Sequence, residues 1–294
     1  QALLLGEDLL TLDIVGSQRA GTSALVAACK VAAGGGKPIL VTAAEKRRAK
    51  AASPIEMTAG DAGAAVLVGD GDGVAELLGS YTKAVDFIDH YRGQDEAYHY
   101  MWEERWIRDE GYMKLVPAAC EAALAEAGVE AGDVKTFCFP AAMKRVSGAL
   151  AKKLGISEEA VRDNLQAVCG EAGAAHGLVM LVHALQDAVP GDKILVAGFG
   201  QGCDALVFEA TDAITNGKPA VGISGCLSLG RVEGNYNRYL AHNDMVEMER
   251  GIRAEMDKQT GLTTLYRNKN MIMSAMGGKC STCGTVQFPK TGVC

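Results

Sequence analysis

The chain is short of aromatic rings. They make up 5% of its 294 residues, and both tryptophans fall in one segment, 86–112. A core with so few rings must close on Ala, Gly and aliphatic side chains, which suits the tight helix-on-sheet packing of an α/β protein. The 48% hydrophobic content is enough to build such a core. Long apolar runs are also missing: no stretch of about 18 such residues occurs, so no helical membrane span is expected. Basic residues are not in excess. Lys and Arg number 29 against 36 Asp and Glu, a formal net charge of −7. Nucleic-acid binding, which asks for basic patches, is not favoured. A disulfide framework is absent, because the nine cysteines are scattered singly apart from one terminal pair. That usage fits a reducing compartment and a cytoplasmic protein. No signal peptide is visible, and the first residue is Gln1 rather than Met.

The terminal pair is Cys280 and Cys283, spaced C-x2-C and followed by Gly284. A Gly at that place allows the positive φ that turns backbone N–H groups toward thiolate sulfurs, the shape of a zinc knuckle. A four-thiolate ribbon needs a second knuckle, which Cys294 would open. The sequence therefore predicts a structural zinc held by Cys280, Cys283, Cys294 and a ligand beyond the last residue. With that incomplete site at one end and no Met at the other, the chain is expected to be a fragment cut at both ends.

Apolar patterning predicts strands at 9–15, 38–43, 59–68 and 74–81, and again at 134–139, 194–199 and 205–210. The last two read as an antiparallel pair around Gly200-Gln201-Gly202. Helices are predicted at 20–34, 112–127, 142–154, 157–165 and 172–188, with a charged connector helix near 244–258. Strand–helix–strand order implies a sheet with helical crossovers. Lys46 to Lys50 read as a basic exposed loop, with a CoA-phosphate contact as the alternative. Residues 86–112, dense in charge and rings, read as a subunit contact or the rim of a site. Composition shifts near 212. The expected organisation is a body over 1–212 (1–85, the insert 86–112, then 113–212), a linker and connector over 213–276, and an incomplete ribbon over 277–294.

Three ordered segments, Asp13 to Leu25, Gly60 to Val68 and Gly170 to Thr211, resemble the thiolase superfamily. The likeness is greatest to the β-ketoacyl-ACP synthase III and archaeal-type 3-hydroxy-3-methylglutaryl-CoA synthase branch. Asp86 to Arg92 resembles that synthase's Asp-Phe-Tyr-Arg region, and Gly198 to Ala205 its late Gly-rich turn. From about Tyr239 the chain resembles the start of a zinc-ribbon/OB-fold module that partners such enzymes. The resemblance implies a partial five-layered α/β/α/β/α body followed by a connector helix and a rubredoxin-like ribbon. It also implies an acyl-CoA substrate, and a homodimer or a heteromer with a thiolase-like subunit. The family's nucleophile is a Cys at a buried helix N-terminus, where the dipole and backbone amides favour the thiolate. Matched without a gap, that position falls on Gln18. The family's His falls on Cys138, and its Asn on Glu171.

These departures leave two functional readings. In one, the chain makes or breaks a carbon–carbon bond next to a thioester, by condensation or by retro-aldol or retro-Claisen cleavage. Gln18 would then hold the enolate oxygen, and Glu171 or His176 would move protons. Cys138 and Cys169 would converge with them, while Ser17, Gly200 and Gly202 would lie against the substrate. In the other, the chain is a non-catalytic acyl-CoA-binding or scaffolding subunit. Gln18 and Ser17 would then only cap a helix, and His176 would pack on one helix face with His183. Cys29, Cys120, Cys203 and Cys226 read as core or surface residues in both.

Overall fold

The computed structural model describes residues 6, 8–217, 221–247 and 261–293. The chain divides into two compact units, Ile14–Gly234 and a second of Gln1–Asp13 with Asn235–Cys294. The larger unit continues to Gly234, past the composition shift at 212.

The larger unit is layered. It opens with α1 (Ala20–Ala32), followed by β1 (Ile39–Glu45), β2 (Ala62–Val68) and β3 (Ala75–Ala84). A small hairpin, β4 (His90–Tyr91) and β5 (Tyr100–Met101), carries the ring-rich insert. A π-helical turn over Ile107–Tyr112 then leads into α2 (Met113–Ala127). After it come β6 (Val134–Cys138), α3 (Val146–Leu154), α4 (Gly173–Asp187), β7 (Lys193–Phe199) and β8 (Gly202–Ala210). The main sheet has the order β3-β8-β7-β6.

Strand alternation divides the core in two. Leu195, Ala197, Ala205 and Val207 face α2 and α3, where Val116, Ala119, Cys120, Ala123 and Leu150 close the layer. Ile194, Val196, Leu206 and Phe208 face α1 and α4 and meet Leu25, Val26, Leu178 and Leu181. The β1–β2 pair packs on the far side of α1 and α4. Small residues make this possible. A Cβ on Gly21 would stand 2.2 Å from the Ala174 carbonyl oxygen, so α1 and α4 approach backbone to backbone.

Several expectations are corrected. Residues 9–15 form no strand, and Leu10 and Leu12 are exposed; an apolar run becomes a strand only where a neighbour supplies a ladder. β1 and β2 pair antiparallel with each other, with no helical crossover between them. In the main sheet only β6 and β7 run parallel. The helix expected at 157–165 shrinks to a 3-10 turn, Glu158–Ala160, and Leu165 has a left-handed φ of 59° that no helix accommodates. Arg47 is no exposed loop residue: its side chain is 3% exposed. The antiparallel β7–β8 pair is as expected.

In the smaller unit, short helices at Leu262–Arg267 and Lys269–Ser274 precede a two-stranded hairpin, Gly278–Lys279 with Val286–Gln287. Within it Gly284 has φ +76° and donates to the Cys280 carbonyl at 3.0 Å. The Thr282 N–H lies 3.4 Å from the Cys280 Sγ. Among the described residues no three His, Cys, Asp or Glu side chains are grouped closely enough to hold a metal. Cys294 and most of the expected connector helix, from 248 on, lie outside the described residues. Among the described residues no helix is long and apolar enough to cross a membrane.

Candidate active site

The segment leading into α1 lies against the Gly-rich turn. Gly200 has φ +154°, and a Cβ there would be 2.7 Å from Ser17 Oγ and 2.8 Å from the Gln18 nitrogen. The turn thus presents bare backbone to the start of α1. Ser17 Oγ donates to the Gly200 oxygen at 2.8 Å and accepts the Arg19 N–H at 3.1 Å. Its proton is committed to a carbonyl, with no base beside it, so Ser17 is a tie and not a nucleophile. Gly202 backs onto β3, where a Cβ would clash with the Lys83 carbonyl.

Arg19 and Asp204 brace this junction. Arg19 donates to the Gly200 oxygen at 2.8 Å and to Asp204 Oδ1 at 2.9 Å. Asp204 is 0% exposed and also accepts from Thr22, Ser23 and Thr82. A buried carboxylate is tolerable only with such a full set of donors.

Gln18 meets Glu171 through Arg47. Arg47 Nη2 donates to Gln18 Oε1 at 2.6 Å, and Arg47 Nη1 pairs with Glu171 Oε2 at 2.7 Å. Glu171 Oε1 accepts the Gly173 N–H at 2.9 Å, and Glu45 Oε2 accepts the Ala174 N–H at 3.4 Å. Both carboxylates therefore serve N–H groups that the first turn of α4 leaves without helical partners, where the dipole favours negative charge. The Glu171 backbone is clamped as well, donating to Thr58 and accepting from Gly60. Among the described residues two buried side-chain donors have no partner: Gln18 Nε2 and Arg47 Nε. They flank one guanidinium–amide contact.

The other predicted residues are placed differently. His176 spends both ring nitrogens on backbone: Nδ1 accepts the Ala172 N–H at 2.9 Å, and Nε2 lies 2.6 Å from the Asn164 oxygen. Since a carbonyl only accepts, Nε2 carries the proton. Burial, seconded by the Arg47 charge, holds this imidazole below its ordinary pKa. Cys138 is fully buried, with its Sγ 3.7 Å from the Met180 oxygen among the aliphatic side chains of α1 and α4. Burial pushes its thiol up to about 12. Cys169 contacts the Gly170 carbonyl, and burial raises its pKa too.

Sequence reasoning took Arg47 only as part of a basic loop or a CoA-phosphate contact, and it singled out none of Arg19, Asp204 and Tyr112. Tyr112 ends the π-helical turn, fully enclosed by Phe139 and Phe199. Burial raises its phenol well above the usual value, and the negative charges of Asp89 and Glu171 add to the effect against Arg47. A signal for Arg47 existed: Val41, Ala43, Glu45 and Arg47 share one parity in β1 and its extension, and all four are less exposed than their neighbours.

Residues 124–209 match the family described as 3-Oxoacyl-[acyl-carrier-protein (ACP)] synthase III C terminal. The hydroxymethylglutaryl-CoA synthase of Pyrobaculum neutrophilum is 28% identical over 252 residues, covering 84% of this chain and 72% of that protein. The hydroxymethylglutaryl-CoA synthase of Pyrococcus horikoshii is 31% identical over 215 residues, covering 70% of this chain and 61% of that one. Among solved structures, 3-oxoacyl-[acyl-carrier-protein] synthase III from Aquifex aeolicus VF5 aligns with a TM-score of 0.60 and 24% identity, covering 69% and 68% of the two chains. The chain has a mixed α/β, thiolase-like fold. MvaS in complex with 3-hydroxy-3-methylglutaryl coenzyme A shares this fold at a TM-score of 0.68 and 15% identity, covering 86% of this chain and 71% of that one. Within this thiolase-like body, β6, α4, β7 and all of β8 but Ala210 lie in the matched 124–209 region, and the residues just ahead of α4 and the β7–β8 turn bring Glu171 and Gly200 to the start of α1.

Proposed function

We propose that this chain handles acyl-CoA thioesters and makes or breaks a carbon–carbon bond next to the thioester carbonyl without forming an acyl-cysteine. One observation carries the reading. Gln18 occupies the position that resembles the family's nucleophile, it is bonded through Oε1 to Arg47 Nη2, and its buried Nε2 and the buried Nε of Arg47 have no partner among the described residues. Two N–H donors of this kind suit a thioester oxygen that gains negative charge as an enolate forms. Arg47 stays cationic throughout, and Glu171 fixes its orientation. Cleavage or formation of a 3-hydroxyacyl-CoA by aldol chemistry needs no covalent acyl-enzyme, so the replacement of Cys by Gln is compatible with it. The similarity to hydroxymethylglutaryl-CoA synthases, one of them solved in complex with CoA, supports CoA as the carrier.

The test is proton exchange at the α-carbon. With acetyl-CoA in D2O, the protein is expected to accelerate deuterium uptake into the acetyl group, read by mass spectrometry. Gln18→Ala should cut that rate by about 100- to 1,000-fold, as removal of an oxyanion donor does elsewhere. An unaccelerated wild-type rate, with no acetyl-CoA binding by calorimetry, would refute the proposal.

A second reading, a non-catalytic acyl-CoA-binding subunit of a larger assembly, is favoured by the fixed ring of His176 and the core position of Cys138. Pairing of the thiolase-like body with a second copy or a homologue belongs to both readings. So does structural zinc. Cys280 and Cys283 stand on a turn with knuckle geometry, which fits half of a tetrahedral thiolate site. Zinc there would fix the hairpin and take no part in the chemistry. The protein purified without added metal is expected to hold one zinc per chain by elemental analysis. Cys280→Ser should release it without altering the melting of the larger unit. Metal-free protein would remove the zinc assignment.

A further inference from the structure

Carbon–carbon chemistry beside a thioester needs a group that takes up and returns a proton, and the residues matched from the family do not supply one. Both nitrogens of His176 are bound to backbone. Glu171 is engaged by Arg47 and by the Gly173 N–H. Cys138 lies in the aliphatic core. Of the remaining histidines in the larger unit, His183 is held by Arg162 on α4. That leaves His90 and His99, both in the β4–β5 hairpin region.

We propose that His90, oriented by Asp89, is the proton carrier of this site. The assignment rests on the thioester reading above and adds a catalytic residue to it. His90 Nδ1 lies 3.0 Å from Asp89 Oδ2, with the two side chains 8% and 4% exposed. A carboxylate at Nδ1 keeps the proton on that nitrogen and leaves the Nε2 lone pair to act as base. No described group bonds Nε2. In the hairpin His90 pairs with Met101, and both are half-buried, whereas Tyr91 and Tyr100 are exposed. Met101 packs against the core that contains Phe87, Phe139 and Phe199, so the His90 side of the hairpin faces the body.

The hairpin also rests on the strand end that carries Arg47. The His99 N–H donates to the Arg48 oxygen at 3.0 Å. His99 feels the charges of Arg47 and Glu45 on that strand end and of His90 across the hairpin, and burial is the main cause of its lowered pKa. On the other side, Asp89, Glu171 and Arg47 all act on the enclosed Tyr112 phenol. The hairpin that carries the Asp89–His90 dyad is thus tied by a backbone hydrogen bond to the strand end that carries Arg47.

The step balances without any further reactant. The C2–H bond of the acyl thioester breaks, the proton goes to His90 Nε2, and the electron pair moves through C2 onto the thioester oxygen held by Gln18 and Arg47. In retro-aldol cleavage, His90 Nε2 instead takes the proton of the 3-hydroxyl. The C2–C3 bond then breaks, a carbonyl compound leaves, and the enolate carbon takes the proton back from the imidazolium. Asp89 is a positioning residue that stabilises the charged ring.

The experiment is the acetyl-CoA exchange assay in D2O on the whole chain, with acetyl-CoA affinity measured separately by calorimetry. His90→Gln, whose amide can still reach Asp89, is expected to lose about 100-fold or more of the exchange rate at unchanged affinity. His90→Ala should lose as much and regain activity with added imidazole, which a purely structural role would not produce. Asp89→Asn should lower the maximal rate and leave KM in place. Circular dichroism checks that each variant is folded. Wild-type exchange that survives both His90 substitutions would overturn the assignment while leaving the thioester reading intact. A wild-type protein that binds acetyl-CoA but exchanges nothing would overturn the proton-carrier role and favour the non-catalytic reading.

Discussion

Replacing Arg47 with methionine is expected to cost about 3–5 kcal/mol of stability in urea unfolding, the usual penalty for stranding one partner of a buried ion pair. Methionine keeps most of the length of the stem, so the loss comes from charge and hydrogen bonds and not from a cavity. Glu171, 10% exposed, would keep its carboxylate with only the Gly173 N–H as partner, and Gln18 Oε1 would lose its donor. Arg47→Lys should fall between. An ammonium retains the charge, but it is a point donor and does not span the two acceptors as a guanidinium fork does. The double variant Arg47→Met with Glu171→Leu separates the causes. If stranding of the carboxylate dominates, the double variant should be more stable than Arg47→Met alone. A loss below about 1 kcal/mol for Arg47→Met would mean that Glu171 is solvated and that the cluster is not a buried one.

The sequence made this cluster half legible. The gapless match placed Gln18 at the start of a helix and Glu171 just ahead of α4, and both stand there. Nothing in it placed Arg47 between them. Arg47 sits among Lys46, Arg48 and Lys50, and a run of four cations reads as a solvated loop. Its burial follows from the period of two inherited from β1, which a charge run conceals. Cys138 shows the same effect of parity. It belongs to the same strand as Phe137, but Phe137 faces the α2–α3 layer and Cys138 the aliphatic layer of α1 and α4. The neighbouring strands were legible because β7 and β8 are apolar nearly throughout and a Gly-x-Gly turn joins them. Residues 9–15 carry a similar apolar signal without a ladder, since strand formation depends on a partner that the run itself does not specify. Asp89 and His90 stand in the sequence only as members of the 86–112 segment, read as a subunit contact or the rim of a site, and of the stretch that resembles the synthase's Asp-Phe-Tyr-Arg region. What singles them out is their contact at 3.0 Å and the packing of the hairpin, both of them tertiary.

The second large effect is expected at Asp204. Its carboxylate is 0% exposed and accepts from Arg19 Nη1 at 2.9 Å, Thr22 Oγ1 at 3.0 Å, Ser23 Oγ at 2.6 Å and Thr82 Oγ1 at 2.8 Å. These donors come from α1, the residue before it, and β3, so a single side chain on β8 joins three elements. Gly198, opposite Asp204 across the β7–β8 ladder, has no side chain, and a Cβ there would overlap Thr22. The bare strand lets Thr22 reach the carboxylate. Asp204→Ala removes the acceptor shared by a guanidinium and three hydroxyls, leaving Arg19 the Gly200 oxygen and Ser23 Oγ and leaving Thr22 the Arg19 carbonyl. The expected cost is about 3–5 kcal/mol. Asp204→Asn should cost less, because one oxygen still accepts while the new NH2 group faces donors. Arg19→Met leaves the three hydroxyls to solvate the charge alone, and is expected to lie near Asp204→Asn. The readout that separates a local effect from general weakening is amide hydrogen exchange. Amides at the start of α1, from Arg19 to Ser23, should lose protection in Asp204→Asn before those of α2, which packs on the other face of the sheet. Equal loss in both helices would mean that Asp204 stabilises the body as a whole. Unchanged protection in α1 would mean that the Gly200 turn is held by Ser17 alone.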